Sequence, residues 1–178
     1  MEDTGHAGFT LIELLLALAL IAVLTGVAAP AMGRLLELSR LRSAAETLCL
    51  ELRQARNHAL NQQRITYFSF FAAADSWCYG WRESSACDCR SSDTTRLCAV
   101  GRDGELNRHL QSSIDFPGVT LASTRRAKPA TLHFSPYRGA AKALSLALHN
   151  GAGELRVIIS PLGRIRICSP EARRYPPC

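Results

Sequence analysis

A long apolar run opens the chain, and its length predicts a helix able to cross a membrane. From Phe9 to Met32 the only charged residue is Glu13. At a rise of about 1.5 Å per residue, such a helix is about 36 Å long, whereas the core of a bilayer measures about 30 Å. A carboxylate inside a membrane is unfavourable and is usually retained because it has a partner. We therefore expect Glu13 to meet a positive group.

The helical pattern continues beyond the apolar run and becomes amphipathic. Apolar residues recur at steps of three and four between Leu38 and Ala59, which is the spacing of one helix face. The pattern predicts one helix from about Phe9 to about Gln62, with its second half packed on a folded domain. Pro30 removes a backbone donor, so a kink or local melting is expected there.

After the helix, the pattern becomes typical of strands, with β-branched and aromatic residues in short runs. Strands are expected near the segments Ile65–Phe71, Ser76–Trp81, Ser113–Phe116, Thr131–Phe134, Ala143–Leu148, Glu154–Ile159 and Arg164–Cys168. Asn150-Gly151 and the segment 160–163 supply turn signals between the later strands. The expected fold class is α+β, a long N-terminal helix packed on an antiparallel sheet domain.

The residues around Glu13 also carry a processing signal. The stretch Gly8-Phe9-Thr10-Leu11-Ile12-Glu13 resembles, position by position, the site at which type IV pilins and type II secretion pseudopilins are cut and methylated. The resemblance implies that a prepilin peptidase cleaves after Gly8 and that the new amino group of Phe9 is methylated. That amine would lie four residues before Glu13, so the two charges could neutralise each other within one chain or between neighbours.

The same resemblance implies an organisation for the whole chain. Residues 1–8 would be a leader, 9–32 a transmembrane and fibre-core helix, 33–62 its amphipathic continuation, and 63–178 a β-rich head with a disulfide loop and a basic tail. The expected partners are other pilin subunits, the prepilin peptidase and the bacterial inner membrane. The head would lie in the periplasm before assembly into a pilus or pseudopilus.

The later segments resemble minor pilins of the GspH/FimT group within that family. The similar segments are Ala55–Ala59, Leu132–Gly139 and Leu155–Ile167, and they occur in the same order as in the group. Residues 72–130 carry little of the resemblance. The implied fold is that of a type IV pilin, in which the helix packs on the head.

The charge balance draws attention to the final predicted strand. The chain has 21 Lys and Arg against 15 Asp and Glu, and Arg has a planar fork suited to phosphate. In a strand, Arg164 and Arg166 share one face, with α-carbons about 6.6 Å apart, and Gly163 would let the turn place them on a rim. Gly163-Arg164-Ile165-Arg166 resembles the motif with which DNA-uptake minor pilins of this group bind DNA.

This resemblance implies sequence-independent, salt-sensitive binding of double-stranded DNA through phosphate contacts. Other basic residues could extend the surface, namely Arg173 and Arg174 in the tail and the cluster Arg125, Arg126 and Lys128. Two alternatives remain for the motif, an ordinary solvated strand face and contacts to neighbouring subunits. Related pseudopilins can keep a Gly-Arg turn without a role in DNA binding.

Seven cysteines in a chain with an export signal indicate an oxidising compartment. Because a Cys87–Cys89 bond would be strained, Cys78 is expected to pair with either Cys87 or Cys89, and Cys98 with the other. Cys168 and Cys178 would close the tail into a small loop, and Cys49 would be a buried free thiol. A four-cysteine zinc site fits the Cys-x-Cys spacing poorly.

The sequence offers little support for catalysis. The histidines stand in no triad or metal-binding spacing, and no pair of carboxylates has a useful separation. No cofactor, metal site or catalytic residue is expected. The function predicted is a minor pilin that binds extracellular DNA for uptake in natural transformation. The alternative is a structural minor pseudopilin for type II secretion or pilus assembly.

Overall fold

The computed structural model describes residues 10–73, 76–93, 95–100, 107–123, 130–171 and 174–178. Helix α1 spans Leu11–Gln62. The described residues after the helix form ten strands, whose bounds are β1 Thr66–Ala72, β2 Trp77–Glu83, β3 Ala99–Val100, β4 Asn107–Arg108, β5 Leu110–Ser112, β6 Thr120–Ser123, β7 Ala130–Phe134, β8 Leu144–Asn150, β9 Gly153–Ile159 and β10 Ile165–Cys168. The chain divides into two compact units, with the boundary between Leu36 and Glu37.

The first unit is the apolar part of α1. Thr10 caps the helix, because its Oγ1 accepts a hydrogen bond of 3.3 Å from the backbone N–H of Glu13. By length and composition, the helix is long and apolar enough to cross a membrane. Its leucines and isoleucines are exposed, so their side chains can contact lipid in a membrane or other apolar helices in a fibre core. The helix continues through Pro30 without the expected local melting.

The second unit joins the rest of α1 to the strands. Its main sheets have the orders β5-β2-β1-β7 and β10-β9-β8-β6, and a short ribbon pairs β3 with β4. All strand pairs are antiparallel, so the predicted fold class is confirmed. In β10–β9–β8, the inward residues Ile165, Val157 and Leu146 are buried.

One face of α1 forms the helical side of the core. The buried residues of that face follow the predicted stripe, and they are Leu41, Ala44, Ala45, Leu48, Leu52, Ala55 and Ala59. They pack in a single cluster with residues of both main sheets, including Phe68, Tyr79 and Leu148. Cys49 is buried in the same cluster, and it is a free thiol. Burial raises the pKa of this thiol, which agrees with a packing role.

A polar group interrupts the stripe at Glu51. Its Oε2 accepts a hydrogen bond of 2.8 Å from Nε1 of Trp81 and lies 3.5 Å from Nδ1 of His109, whose ring stacks on Trp81 at 4.0 Å. Burial by itself raises the pKa of Glu51, but the contacts from His109 and Trp81 outweigh it and hold the pKa below its ordinary value. The charged carboxylate is therefore the form that the fold favours.

The strand predictions fail mainly between residues 84 and 123. The segment 113–116 was expected to be a strand and instead forms a turn, in which Oδ2 of Asp115 accepts a hydrogen bond of 2.8 Å from the Ser112 N–H. The strand prediction was wrong because the apolar residues of this segment do not share one buried face. Phe116 is buried although it lies at the end of the turn, whereas Ile114 is 86% exposed. The short strands β3 to β6 were not predicted.

Candidate nucleic-acid interface

The turn between β9 and β10 positions the two arginines of the candidate motif. Ser160 closes this turn, because its O accepts a hydrogen bond from Gly163 N at 2.9 Å, its Oγ accepts one from Arg164 N at 3.1 Å, and its N donates one to Arg164 O at 3.0 Å. Pro161 fixes one backbone angle, and Gly163 has a φ of 75°, which favours glycine. The turn is thus held on both sides before β10 begins.

Gly163 is buried, because the turn packs closely against a second turn. A Cβ at position 163 would collide with the carbonyl oxygen of Gly139 and lie 2.8 Å from Nε of Arg56. Gly139 also has a positive φ, of 61°, and accepts a hydrogen bond of 3.2 Å from the same Nε. Ala141 N donates to Pro161 O at 3.2 Å, which joins the two turns. Gly163 therefore allows the two turns to pack together and positions Arg164, but its own atoms are buried.

Arg164 and Arg166 are both exposed, as the alternation along the strand predicts. Ile165 is buried between them, and Arg166 lies opposite Ile158 of β9. Among the described residues, no acidic side chain forms an ion pair with either arginine. Their charges therefore remain available to an anion in solvent.

Contacts of the described tail residues tether the C-terminus to the head. Cys168 and Cys178 form a disulfide, Ser169 N donates to Pro176 O at 3.0 Å, and Tyr175 Oη donates to Glu46 Oε1 at 2.7 Å. Partial burial and this hydrogen bond raise the pKa of Tyr175, so the phenol stays protonated at neutral pH.

Arg174 occupies a different place from Arg164. It lines a depression shared with Arg42, Glu154 and Glu171, whereas Arg164 lines a groove near Arg53. Arg42 and Arg53 are eleven positions apart in α1, which is about 16 Å along a helix. Arg174 is thus surrounded partly by acids.

Several predicted site residues lie outside the described residues. These are Gly8 and Phe9 of the processing site, the cluster Arg125, Arg126 and Lys128, and Arg173 of the tail. Glu13 lies in the first turn of α1.

The loop cysteines bond as Cys78–Cys89 and Cys87–Cys98, which is one of the two arrangements left open by the sequence. Their sulfurs are therefore unavailable to zinc, and no cluster suited to a metal occurs in the described part of the chain.

The crossed bonds fasten the loop to β2. Beside them, Arg90 covers the ring of Phe71 at 4.4 Å and its hydrogen bonds lower the pKa of Asp88.

Sequence reasoning missed three arginines near the motif. Arg53 and Arg56 lie off the apolar stripe of α1, and in the fold Arg53 donates a hydrogen bond to Ile165 O of β10 while Arg56 lies beside Gly163 and Gly139. Arg156 shares the outer sheet face with Arg166, but Nε of Arg156 lies 2.5 Å from Oε1 of Glu154, so its charge is offset. The sequence shows that Arg53 and Arg56 are three residues apart on the helix. It does not show that β10 lies beside them.

Comparison with known families assigns the chain. A family model described as type II transport protein GspH matches residues 44–163, and the prokaryotic N-terminal methylation motif matches residues 4–29. The chain belongs to the GspH family. This GspH-family chain is a minor pilin or pseudopilin, and such proteins are structural rather than enzymatic. The methylation motif and the apolar helix indicate membrane anchoring and assembly into a pilus or pseudopilus.

Solved structures of minor pilins and pseudopilins are similar to this GspH-family chain. The minor pilin FimU of Pseudomonas aeruginosa is 22% identical, with 74% of this chain and 90% of FimU covered and a TM-score of 0.44. A second crystal form of FimU gives 21% identity, coverage of 71% and 90%, and a TM-score of 0.42. The minor pseudopilin EpsH of Vibrio cholerae is 13% identical, with coverage of 74% and 98% and a TM-score of 0.46. No curated protein matches the chain.

Proposed function

We propose that this minor pilin is incorporated into a type IV pilus and binds double-stranded DNA for uptake, without sequence preference. The observation that carries the proposal is the pair Arg164 and Arg166, both exposed and without an acidic partner among the described residues. Guanidinium forks bind phosphate as well as carboxylate oxygens, and a DNA strand presents phosphates in succession. The protein would hold DNA while the pilus retracts, with no reaction of its own.

The same proposal covers processing and location. A prepilin peptidase would cleave after Gly8, and methylation would follow on Phe9. The carboxylate of Glu13 would then neutralise the new amine in the membrane or the fibre core. The head would face the periplasm before assembly.

A structural role in pilus assembly or type II secretion is the second candidate. Two observations favour it. The close packing of Gly163 on Gly139 explains the Gly-Arg turn without any DNA. Leu162, at the tip of the same turn, is 81% exposed and would suit an apolar contact with a neighbouring subunit.

Binding of the full chain in a nonionic detergent to a fluorescent duplex tests the proposal. The wild type is compared with Arg164→Gln plus Arg166→Gln, and with the charge-matched control Arg34→Gln plus Arg40→Gln, whose arginines are exposed on α1. Loss of two phosphate contacts should reduce the slope of log affinity against log salt by about 1.8. The control should keep the wild-type slope, and duplexes of unrelated sequence should bind equally.

The outcomes separate the two candidates. Equal binding by wild type and the Arg164 and Arg166 variant would refute the assignment of the site. Absence of binding by the wild type at low salt would refute DNA binding and leave the structural role.

A further inference from the structure

A groove between α1 and the β9–β10 turn collects three arginines. Its volume is about 390 Å³, and none of the described residues that line it is acidic. The lining residues are Arg53, Arg56, Asn57, Leu162, Gly163, Arg164 and Ile165. The groove lies at the free edge of its sheet, because β10 is the end strand.

Two of the three guanidiniums are held by backbone carbonyls. Nε of Arg56 donates to Gly139 O at 3.2 Å, and Nη2 of Arg53 donates to Ile165 O at 3.4 Å. Each guanidinium has five N–H donors, so one such bond leaves four for other partners. Carbonyl groups carry no net charge, so neither bond neutralises the arginine. Arg53 and Arg56 therefore keep their positive charge at the groove, and most of their N–H donors have no partner among the described residues.

A purely structural role explains only part of this arrangement. Arg56 lies against both Gly139 and Gly163 and supports the two turns. Arg53 is exposed and makes only the long bond to Ile165 O, and Arg164 contributes no side-chain hydrogen bond among the described residues. Three like charges lining one concave surface raise the local potential, because a cleft focuses the field. An anion bound between them would relieve their mutual repulsion.

We propose that this groove binds a phosphate group and that helix α1 is therefore part of the interface. The inference rests on the proposed function, in which the ligand is a phosphodiester of the DNA backbone. Arg164 borders the groove, while Arg166 lies further along β10 on the outer sheet face. A DNA strand would thus cross the edge of β10, with one phosphate in the groove and another at Arg166.

The test uses the full chain in nonionic detergent and the variant Arg53→Gln. The matched control is Arg40→Gln, which removes the same charge from an exposed position of the same helix. Inorganic pyrophosphate is titrated by calorimetry, and a fluorescent duplex is titrated at several salt concentrations. Arg53→Gln should weaken pyrophosphate binding and reduce the salt slope for the duplex by about 0.9. Arg40→Gln should change neither, and both variants should keep the wild-type midpoint of urea unfolding.

The two probes distinguish failure of the groove from failure of the proposed function. If the duplex binds but Arg53→Gln behaves as Arg40→Gln with both probes, the groove is refuted and the proposed function stands. If pyrophosphate binds through Arg53 but the duplex does not bind, the phosphate site stands and DNA binding is refuted. Tighter binding of a glutamate-rich peptide than of pyrophosphate would overturn the assignment to phosphate and indicate a protein partner.

Discussion

Replacing Gly163 by alanine should destabilise the head through two separable effects. The first is conformational, because a φ of 75° places the new Cβ in the left-handed region, at a cost of about 1–2 kcal/mol. The second is steric, because the same Cβ would overlap the carbonyl oxygen of Gly139 and lie 2.8 Å from Nε of Arg56. Relief requires the two turns to separate, and overpacking of this kind costs about 1–3 kcal/mol. The total is about 2–5 kcal/mol.

Gly118→Ala is the control that isolates the steric part. Gly118 has a φ of 80°, but no atom lies within 4 Å of the position that an alanine Cβ would take there. The free energy of unfolding of Gly118→Ala should therefore fall by only about 1–2 kcal/mol, the cost of the left-handed backbone conformation. The difference between the two variants measures the close approach of the turns.

The assay is equilibrium urea unfolding of the full chain in detergent, followed by tryptophan fluorescence. Trp77 and Trp81 are both buried in the core, so their emission reports on its exposure. Each variant's free energy of unfolding is taken from the midpoint and the slope. If Gly163→Ala cost no more than Gly118→Ala, the close packing of the two turns would be refuted.

Two further predictions concern stability. Because the pKa of folded Glu51 lies below its ordinary value of 4.5, its stabilising effect should be present above that value and lost as the pH falls through the lowered pKa. Glu51→Gln should therefore lose less stability than wild type on acidification below about pH 4.5 in urea unfolding, and equal pH slopes would contradict this. Substitution of Cys168 and Cys178 by serine should lower the free energy of unfolding by about 2–3 kcal/mol, because the bond closes a short loop. An unchanged urea midpoint would show that the remaining tail contacts suffice.

The long helix and most of the strands follow from local pattern. The stripe from Leu41 to Ala59 was readable because its period is that of a helix face, and every predicted stripe residue in that range is buried. The later hairpins were readable because their strands alternate. The turn of the β8–β9 hairpin was placed one residue early, since the two residues between the strands are Gly151 and Ala152.

The candidate site was only half visible in the sequence. Alternation along one strand is a local property, and it predicted correctly that Arg164 and Arg166 are exposed on either side of the buried Ile165. The contacts of Arg56 with Gly139 and of Arg53 with Ile165 join residues 83 and 112 positions apart. No periodicity within one element encodes which surface of another element will lie beside it. The groove could therefore be recognised only from the three-dimensional structure.

The Gly-Arg turn shows why glycine and arginine carry different information about function. Gly163 is required by packing, and that requirement is the same whether the protein binds DNA or only builds a fibre. Arg166 is exposed and has no ion pair among the described residues, so the fold gains little from its charge. Removing the arginines should therefore leave stability nearly unchanged, whereas changing the glycine should not. Any loss of DNA binding in the arginine variants would then reflect the interface itself.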